Sequence, residues 1–216
     1  MKDIRYIIAS NVLYHRVTLP TLLPSLYQTG IEPERIFVAV GGAAERRDVS
    51  IEGVMHMFVK QRSFDWTGII EVVRRELPGD AWFWLHDTCE AGPNFRQLAE
   101  NNYDPNAEMT VAYVAHGGGQ SNLGLYSTTM LQRHHSYWLS LEGISKADGL
   151  PHEGYAYRAD LGTKAEYPNA QCLELGYRDI YGNGTIRRIE HYTGVDLFKY
   201  KANWGQTTGG AMIIQP

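Results

Sequence analysis

Acidic side chains follow an apolar run near the middle of the chain, and their type and spacing suit cation binding. Residues 81–85 read Ala-Trp-Phe-Trp-Leu, and His86, Asp87 and Glu90 come directly after them. The carboxyl ends of strands are where open α/β sheets bind their ligands. Asp87 and Glu90 offer hard oxygen ligands suited to Mg²⁺ or Mn²⁺ on a diphosphate. The alternative interpretation is that Asp87 caps the turn before the next helix and that Glu90 is solvated.

Four common catalytic signatures are missing from the sequence. There is no GxGxxG after the first apolar run, no GxxxxGK[ST], no HExxH and no GxSxG. These motifs are typical of nicotinamide dehydrogenases, P-loop enzymes, zincins and serine hydrolases respectively. No two histidines show ligand spacing beside a carboxylate on one predicted helix, which also disfavours a metallohydrolase.

The elements that must position the acidic residues alternate between strands and helices. Apolar runs predict strands at residues 4–9, 35–40, 55–60, 81–85 and 109–115. Helical spacing of apolar residues predicts helices at residues 19–29, 66–77, 93–101 and 129–141. Strands without alternation, separated by helices, predict an α/β fold: a single domain with a mixed, mainly parallel central sheet flanked by helices, which is a Rossmann-like arrangement.

Three residues in the first two predicted helices have expected local roles. Thr18 is the predicted cap of the first helix, and Pro24 either kinks that helix or marks a later start. Asp65 is the predicted cap of the second helix, before an amphipathic stretch that ends at Pro78-Gly79. The two helices follow the predicted strands at residues 4–9 and 55–60.

Composition and charge narrow the class of protein. The chain has 216 residues with no internal repeat or linker, which favours one globular domain. Its net charge of −4 argues against a protein that holds nucleic acid by neutralising phosphates. Cys89 and Cys172 lack zinc-site spacing, and no signal peptide or membrane-spanning run is recognisable. We therefore expect two reduced thiols in a cytoplasmic protein without a membrane span.

Three segments of the first ninety residues resemble the nucleotide-sugar half of a GT-A glycosyltransferase. They are residues 7–11 (Ile-Ile-Ala-Ser-Asn), 37–42 (Phe-Val-Ala-Val-Gly-Gly) and 83–87 (Phe-Trp-Leu-His-Asp). Later stretches at 122–126 and 192–203 fit the same ground plan, so the similarity extends over residues 4–205. It implies one GT-A-like domain over residues 1–216, with a nucleotide-sugar half at 1–115 and an acceptor-binding and closing-loop half at 116–216. The short build also resembles small transferases encoded by large viruses.

The resemblance implies roles for the residues at the strand ends. In that family the end of the first strand holds the nucleotide base, and an acidic motif, usually Asp-x-Asp, holds a metal ion on the donor diphosphate. The motif implies Asp87 as a ligand of Mn²⁺ or Mg²⁺. Cys89 stands where the second Asp is expected and is a poor ligand for these ions, so Asp87 or Glu90 would have to serve. The residues implied to bind the donor are Ser10, Asn11, Gly41, Gly42 and Asp65.

The same resemblance implies functional roles for residues of the basic C-terminal stretch. Many GT-A enzymes use a histidine near the C-terminus as an extra metal ligand, which implies His191 here. Lys199, Lys201 and Trp204 are implied contacts of the donor-closing loop, where cations neutralise the leaving diphosphate. The alternative interpretation is an ordinary amphipathic surface segment.

An inverting transferase also needs a carboxylate that takes the proton from the acceptor hydroxyl. Family members often place it after the acceptor loop, which implies Glu153, with Asp148 and Asp160 as the next candidates. A retaining enzyme would not need this base, and a solvated loop position is the alternative for each residue.

Together the residues and the resemblance predict a hexosyl- or deoxyhexosyltransferase. It would move a sugar from a nucleoside-diphosphate sugar to a hydroxyl of a glycan or glycoprotein, assisted by Mn²⁺ or Mg²⁺, with catalytic roles for Asp87 and Glu153. One alternative is a nucleotidyltransferase, although such enzymes usually carry a basic, glycine-rich loop after the first strand. Another is an inactive carbohydrate- or nucleotide-binding protein on the same fold, which Cys89 favours.

Overall fold

The computed structural model describes residues 3–101, 103–104, 106–114, 118–145, 148–149, 152, 164–167, 170–173 and 186–202. The helices are α1 (His15–Gln28), α2 (Thr67–Arg74), α3 (Phe95–Asn101), α4 (Thr128–Arg133) and α5 (His135–Ser140). The strands are β1 (Ile4–Asn11), β2 (Ile36–Gly41), β3 (Arg47–Ile51), β4 (Val54–Val59), β5 (Ala81–His86), β6 (Cys89–Ala91), β7 (Met109–Val114), β8 (Gly118–Ser127), β9 (Lys164–Tyr167), β10 (Ala170–Leu173), β11 (Ile186–Tyr192) and β12 (Leu197–Ala202). No helix within these described ranges is both long enough and apolar enough to cross a membrane.

The strands form a large mixed sheet and a small antiparallel one. The large sheet has eight strands in the order β3-β4-β2-β1-β5-β8-β7-β9, and the small sheet has the order β10-β11-β12-β6. In the large sheet β4, β2, β1 and β5 are parallel neighbours, and β7 and β9 run in the same direction. β3 and β8 run the opposite way. The predicted α/β class with a mainly parallel central sheet is confirmed.

Helices cover both faces of the large sheet, which explains why its strands are apolar without alternation. On one face Ile8 of β1 belongs to a buried cluster that includes Leu22 of α1 and residues of α3. On the other face the neighbouring Ile7 belongs to a cluster with Ile70 of α2 and Trp138 of α5. Successive residues of one strand thus enter opposite cores, and neither can be polar.

The starts of α1 and α2 differ from the predicted ones. α1 begins at His15 and continues through Pro24, so this proline does not mark a later start. Thr18 lies inside the helix rather than at its cap, so its predicted capping role is wrong. α2 begins at Thr67 after a short 3₁₀ turn, and Asp65 lies within that turn, so its predicted capping role is also wrong. Both side chains are thereby available for other contacts.

The hairpin β3–β4 was only half predicted. The strand expected at residues 55–60 is β4, whereas β3 has no counterpart among the predicted elements. Glu52 and Gly53 connect the two strands, and both have positive φ angles, 52° and 87°. Two such residues are typical of the tight turns that match the twist of a hairpin. β3 forms one edge of the large sheet.

Candidate active site

The carboxylate of Asp87 lies at the carboxyl edge of the large sheet, between the ends of β1 and β5. These strands are parallel neighbours, and the Asp87 amide donates to the Ala9 carbonyl at 3.1 Å, which extends their pairing. The Ser10 hydroxyl donates to Asp87 Oδ2 at 2.5 Å, and Thr18 Oγ1 of α1 lies 3.0 Å from the same oxygen. The fold therefore brings the predicted residues Ser10 and Asp87 together and adds Thr18.

Thr18 is the member of this cluster that sequence reasoning missed. Its hydroxyl also lies 3.0 Å from the Tyr14 carbonyl, and its single proton can serve only one of the two acceptors at a time. The signal that could have found it is a hydroxyl in the first turns of the helix that follows β1, which must pass near the ends of β1 and its neighbours.

Burial controls the ionisation of Asp87. The residue is 8% exposed. Burial raises the pKa of Asp87 to about 6, the hydrogen bonds from Ser10 and Thr18 oppose this rise, and the charge of Asp65 adds to it. Acids with a strongly raised pKa at the edge of a sheet are candidates for functional groups. Asp87 is therefore a buried acid that ionises near neutral pH and gains stability from any cation bound beside it.

A second carboxylate, Asp65, stands beside Asp87. Asp65 Oδ1 lies 3.3 Å from Nδ1 of His86, the last residue of β5. The backbone carbonyl of Asp65 accepts a hydrogen bond from the Trp84 indole at 3.0 Å, which fixes the 3₁₀ turn against β5. The side chain of Asp65 is 39% exposed and that of His86 is 6% exposed. The site thus combines a buried carboxylate with one that contacts solvent.

The loops after β1 and β2 give Asn11, Gly41 and Gly42 local structural roles. Asn11 Oδ1 accepts a hydrogen bond from the Leu13 amide at 2.9 Å, which closes an Asx turn. A Cβ atom at Gly41 would lie 2.9 Å from the Gln61 carbonyl oxygen, and Gly42 has a φ of +82° that disfavours other residues. These residues shape the edge of the sheet, and their contact with a donor nucleotide stays a prediction.

The small sheet carries the C-terminal basic residues to the segment that follows Asp87. Lys199 pairs with Cys89 in the ladder between β12 and β6, and the Tyr200 amide donates to the Thr88 carbonyl at 2.9 Å. Paired residues point to the same face of a sheet, so Lys199, Cys89 and Glu190 share one face, and all three are buried. Cys89 lies in the apolar cluster beneath α1, so the second position of the acidic motif faces the core.

His191 and Glu90 lie on the other face of the small sheet. His191 Nε2 is 3.2 Å from Asp196 Oδ1, and its ring stacks on Phe198 with 4.0 Å between the ring centroids. Phe198 stands in register between His191 and Glu90. The Tyr200 hydroxyl donates to Glu90. Both predicted ligand candidates of this sheet thus already have protein side chains as partners.

Several predicted site residues are located only in part. Asp148 is exposed, and its Oδ2 accepts a hydrogen bond from the Ser145 hydroxyl at 2.5 Å. The backbone of Lys201 lies in β12, opposite Arg188. The predicted residues that lie outside the described ranges are Glu153, Asp160 and Trp204. The identity of the catalytic base therefore stays a prediction.

The donor atoms around Asp87 are few for a metal ion held by the protein alone. Among the described residues, no group of three His, Cys, Asp or Glu side chains could hold a metal ion. Mg²⁺ usually needs only one or two carboxylates, with substrate phosphates and waters completing its shell. Both hydroxyls bond Oδ2 of Asp87, and no other described residue hydrogen-bonds its Oδ1. Asp87 and Asp65 therefore meet the minimum of one or two carboxylates that such an ion needs.

Comparisons with known proteins give distant structural matches. No known protein family matches the sequence, and no curated protein matches it. The glycosyltransferase GlyE of Streptococcus pneumoniae TIGR4 aligns with 78% of this chain at 11% identity and a TM-score of 0.49, and the chain spans 45% of that protein's length. A putative protein of Aquifex aeolicus VF5 aligns with 77% of this chain at 12% identity and a TM-score of 0.42, over 88% of its own length.

Proposed function

We propose that this chain is a glycosyltransferase. It would move a hexosyl or deoxyhexosyl group from a nucleoside-diphosphate sugar to a hydroxyl of a glycan or glycoprotein. The observation that carries the proposal is the buried carboxylate of Asp87 at the edge between β1 and β5, held by Ser10 and Thr18, with Asp65 beside it. The same segments carry the GT-A resemblance of the sequence.

The proposed reaction is a displacement at the anomeric carbon of the donor sugar. The bond from that carbon to the diphosphate oxygen breaks, and its electron pair leaves with the diphosphate. The acceptor oxygen forms the new bond to the same carbon, and its proton passes to a base, for which we propose Glu153. Lys199 and Lys201 of β12 are the proposed cations that neutralise the charge of the leaving group. Lys199 would have to leave the buried face that it shares with Cys89 and Glu190 to do so.

Asp87 and Asp65 are the residues that would hold Mn²⁺ or Mg²⁺, which would supply charge neutralisation for the diphosphate. Asp87 is ionised at pH values above its pKa of about 6, and the hydroxyls of Ser10 and Thr18 orient its carboxylate. His191 is a proposed further ligand and would have to exchange its contact with Asp196 for the ion.

The proposed donor pocket lies at the ends of β1 and β2. Ser10, Asn11, Gly41 and Gly42 would line it, and Trp204 would close over the nucleotide from the C-terminal side. The backbone hydrogen bond from Val12 to the Gly41 carbonyl, at 3.0 Å, joins the two loops that form this pocket.

Donor turnover tests this proposal. Release of nucleoside diphosphate is measured from a panel of nucleotide sugars with Mn²⁺ or Mg²⁺. We expect Asp87→Asn to lower turnover by about 100-fold or more, because it removes the charge that faces the donor and keeps the shape. Release of pyrophosphate from nucleoside triphosphates instead would identify a nucleotidyltransferase.

Asp104→Asn is a matched control for Asp87→Asn. Asp104 Oδ1 accepts a hydrogen bond from the Asn106 amide at 2.8 Å, which asparagine retains, and the turn precedes β7 at the opposite edge of the sheet. We expect Asp104→Asn to turn over donor like the unmodified protein. Equal activity of Asp87→Asn and Asp104→Asn would reject the site. Donor binding without turnover by the unmodified protein would indicate an inactive binding protein.

A further inference from the structure

A second concave region lies on the far side of α1, between this helix and the hairpin β3–β4. Arg47, Val49 and Ile51 of β3 pair with Phe58, His56 and Val54 of β4, so these six side chains share one face. That face and α1 enclose a groove of about 570 Å³. This volume lies within the range of pockets that bind small molecules.

The walls of the groove are apolar over most of their length. α1 contributes Leu19, Leu23 and Tyr27, together with Pro20 and Pro24. Proline has no amide hydrogen, so two successive turns of this wall lack a backbone donor. On the hairpin side, Val49 and Ile51 are 37% and 46% exposed, which makes them the exposed large apolar residues of the described chain. The groove therefore offers apolar surface that nothing in the described fold covers.

His56 is the polar group at the floor of this groove. The residue is 4% exposed, and neither ring nitrogen has a hydrogen-bond partner among the described residues. Burial, and then the charge of His15, lower the pKa of His56, so the ring is neutral. A neutral imidazole has one donor and one acceptor nitrogen, and buried polar groups are almost always paired. Among the described residues, His56 is therefore an unpaired polar group beneath the groove, and both of its nitrogens are buried.

One end of the groove is cationic. Arg16 and Arg47 line it, and neither has an ion pair with a carboxylate of the described residues. The Arg47 guanidinium lies over the ring of Phe58, 4.7 Å from its centroid, which holds it in place. Both arginines also line a second cavity of about 390 Å³ that reaches Ala43, just after β2, and Glu45 lines that cavity with them. At the other end the charged lining residue is Glu52, so the groove has positive charges at one end and a negative charge at the other.

We propose that this groove binds an apolar carboxylic acid, with the carboxylate at Arg16 and Arg47 and the hydrocarbon chain along α1. The wall from His15 to Tyr27 is about 18 Å long at the rise of an α-helix, which gives room for an extended chain of about ten carbons. The site uses none of the side chains that bind Asp87 and does not depend on sugar transfer.

Titration with decanoate, below the concentration at which it forms micelles, tests this site. The ring nitrogens of His56 are followed by NMR, and affinity is measured by calorimetry. We expect saturable one-to-one binding that shifts both His56 ring resonances. Decanol and decyltrimethylammonium have the same chain without the acid, and we expect each to bind at least tenfold more weakly. Unchanged His56 resonances, or equal binding of the cationic probe, would overturn the proposal.

Variants separate the groove from the candidate active site. Leu23→Trp fills the apolar part and should abolish decanoate binding, and Arg47→Gln should weaken it about tenfold. Asp87→Asn should bind decanoate like the unmodified protein, so failure of the proposed sugar transfer would leave this result unaffected. Sedimentation measures whether the chain forms a dimer. If Ile51→Lys dissociates a dimer and decanoate does not, a second copy of the chain covers the groove, and the proposal is overturned.

Discussion

A buried polar side chain lies on each of two sides of α1, and only one of the two is hydrogen-bonded by described residues. On the side that faces β1 and β5, Asp87 is buried but receives hydrogen bonds from Ser10 and Thr18. On the side that faces the hairpin, His56 is buried and has no partner among the described residues. The same helix thus separates a hydrogen-bonded carboxylate from an imidazole that has no hydrogen-bond partner among the described residues.

This difference shows how burial acts on each kind of group. Burial raises the pKa of Asp87 and lowers that of His56, because it disfavours the charged form of both. Hydrogen bonds from two hydroxyls limit the shift at Asp87, so this residue can still ionise near neutral pH. His56 lacks such bonds and stays neutral. A cation should therefore bind on the first side and a neutral or acidic partner on the second.

The largest expected effect on stability comes from removing the charge of Asp87. The pKa of Asp87 is raised from 3.8 to about 6 by folding, so the folded state holds the proton more tightly. This group's contribution to stability is greatest below its unfolded pKa and is lost as pH rises through about 6. As the pH rises from 4.5 to 7.5, we expect the free energy of unfolding of Asp87→Asn to increase by roughly 2 kcal/mol relative to that of the unmodified protein.

Urea unfolding of both proteins at these two pH values measures this gain. Differences between the two proteins cancel the titration of all other groups, provided that the substitution leaves the fold unchanged. Asp104→Asn should show no such pH-dependent difference, because Asp104 caps an exposed turn. If the difference in free energy of unfolding between Asp87→Asn and the unmodified protein is the same at both pH values, the pKa of the buried Asp87 carboxyl is not raised.

A smaller effect is expected from His56→Phe on the other side of α1. An unpaired buried polar group costs about 1–3 kcal/mol, and phenylalanine removes both ring nitrogens while filling the same wall. We expect the free energy of unfolding to rise by about 1 kcal/mol and donor turnover to stay unchanged. Thermal and urea unfolding measure the first quantity. A marked loss of stability would contradict this expectation.

The smallest expected effect concerns Thr18. Thr18→Val keeps the shape of the side chain but removes a hydroxyl that stabilises the ionised form of Asp87. We therefore expect the pKa of Asp87 to rise further, as measured by carbon NMR titration of its carboxyl. Thr18→Ser, which keeps the hydroxyl, should show a smaller rise. An unchanged pKa in Thr18→Val would mean that its proton serves the Tyr14 carbonyl instead.

The strands that form the candidate site could be predicted because each carries its own signal. β1, β2 and β5 are mainly apolar runs that end in polar or glycine residues, and buried parallel strands require that pattern. Asp87 was found for the same reason, since it follows such a run. Thr18 was not assigned to the site, because no spacing in the sequence tells which face of α1 meets Asp87.

The remaining elements have weaker local signals. β3 has only two apolar residues, Val49 and Ile51, so its alternation is too short to predict a strand, and all five of its residues are exposed. β6 has three residues and pairs with β12, more than a hundred residues later, so nothing nearby in the sequence predicts it. The burial of Cys89 follows from that pairing. Cys89 stands where the resemblance places a second Asp, and its environment is that of a core residue.

The most direct test of the central claim is calorimetric titration with nucleoside diphosphates in the presence and absence of Mn²⁺. If the edge between β1 and β5 is the donor site, the unmodified protein binds one nucleoside diphosphate, and Mn²⁺ strengthens this binding. Asp87→Asn should lose at least tenfold in affinity with Mn²⁺ present, because a carboxylate shared with the cation is gone. Equal affinities of Asp87→Asn and the unmodified protein with Mn²⁺ would contradict the assignment of Asp87 to a donor site.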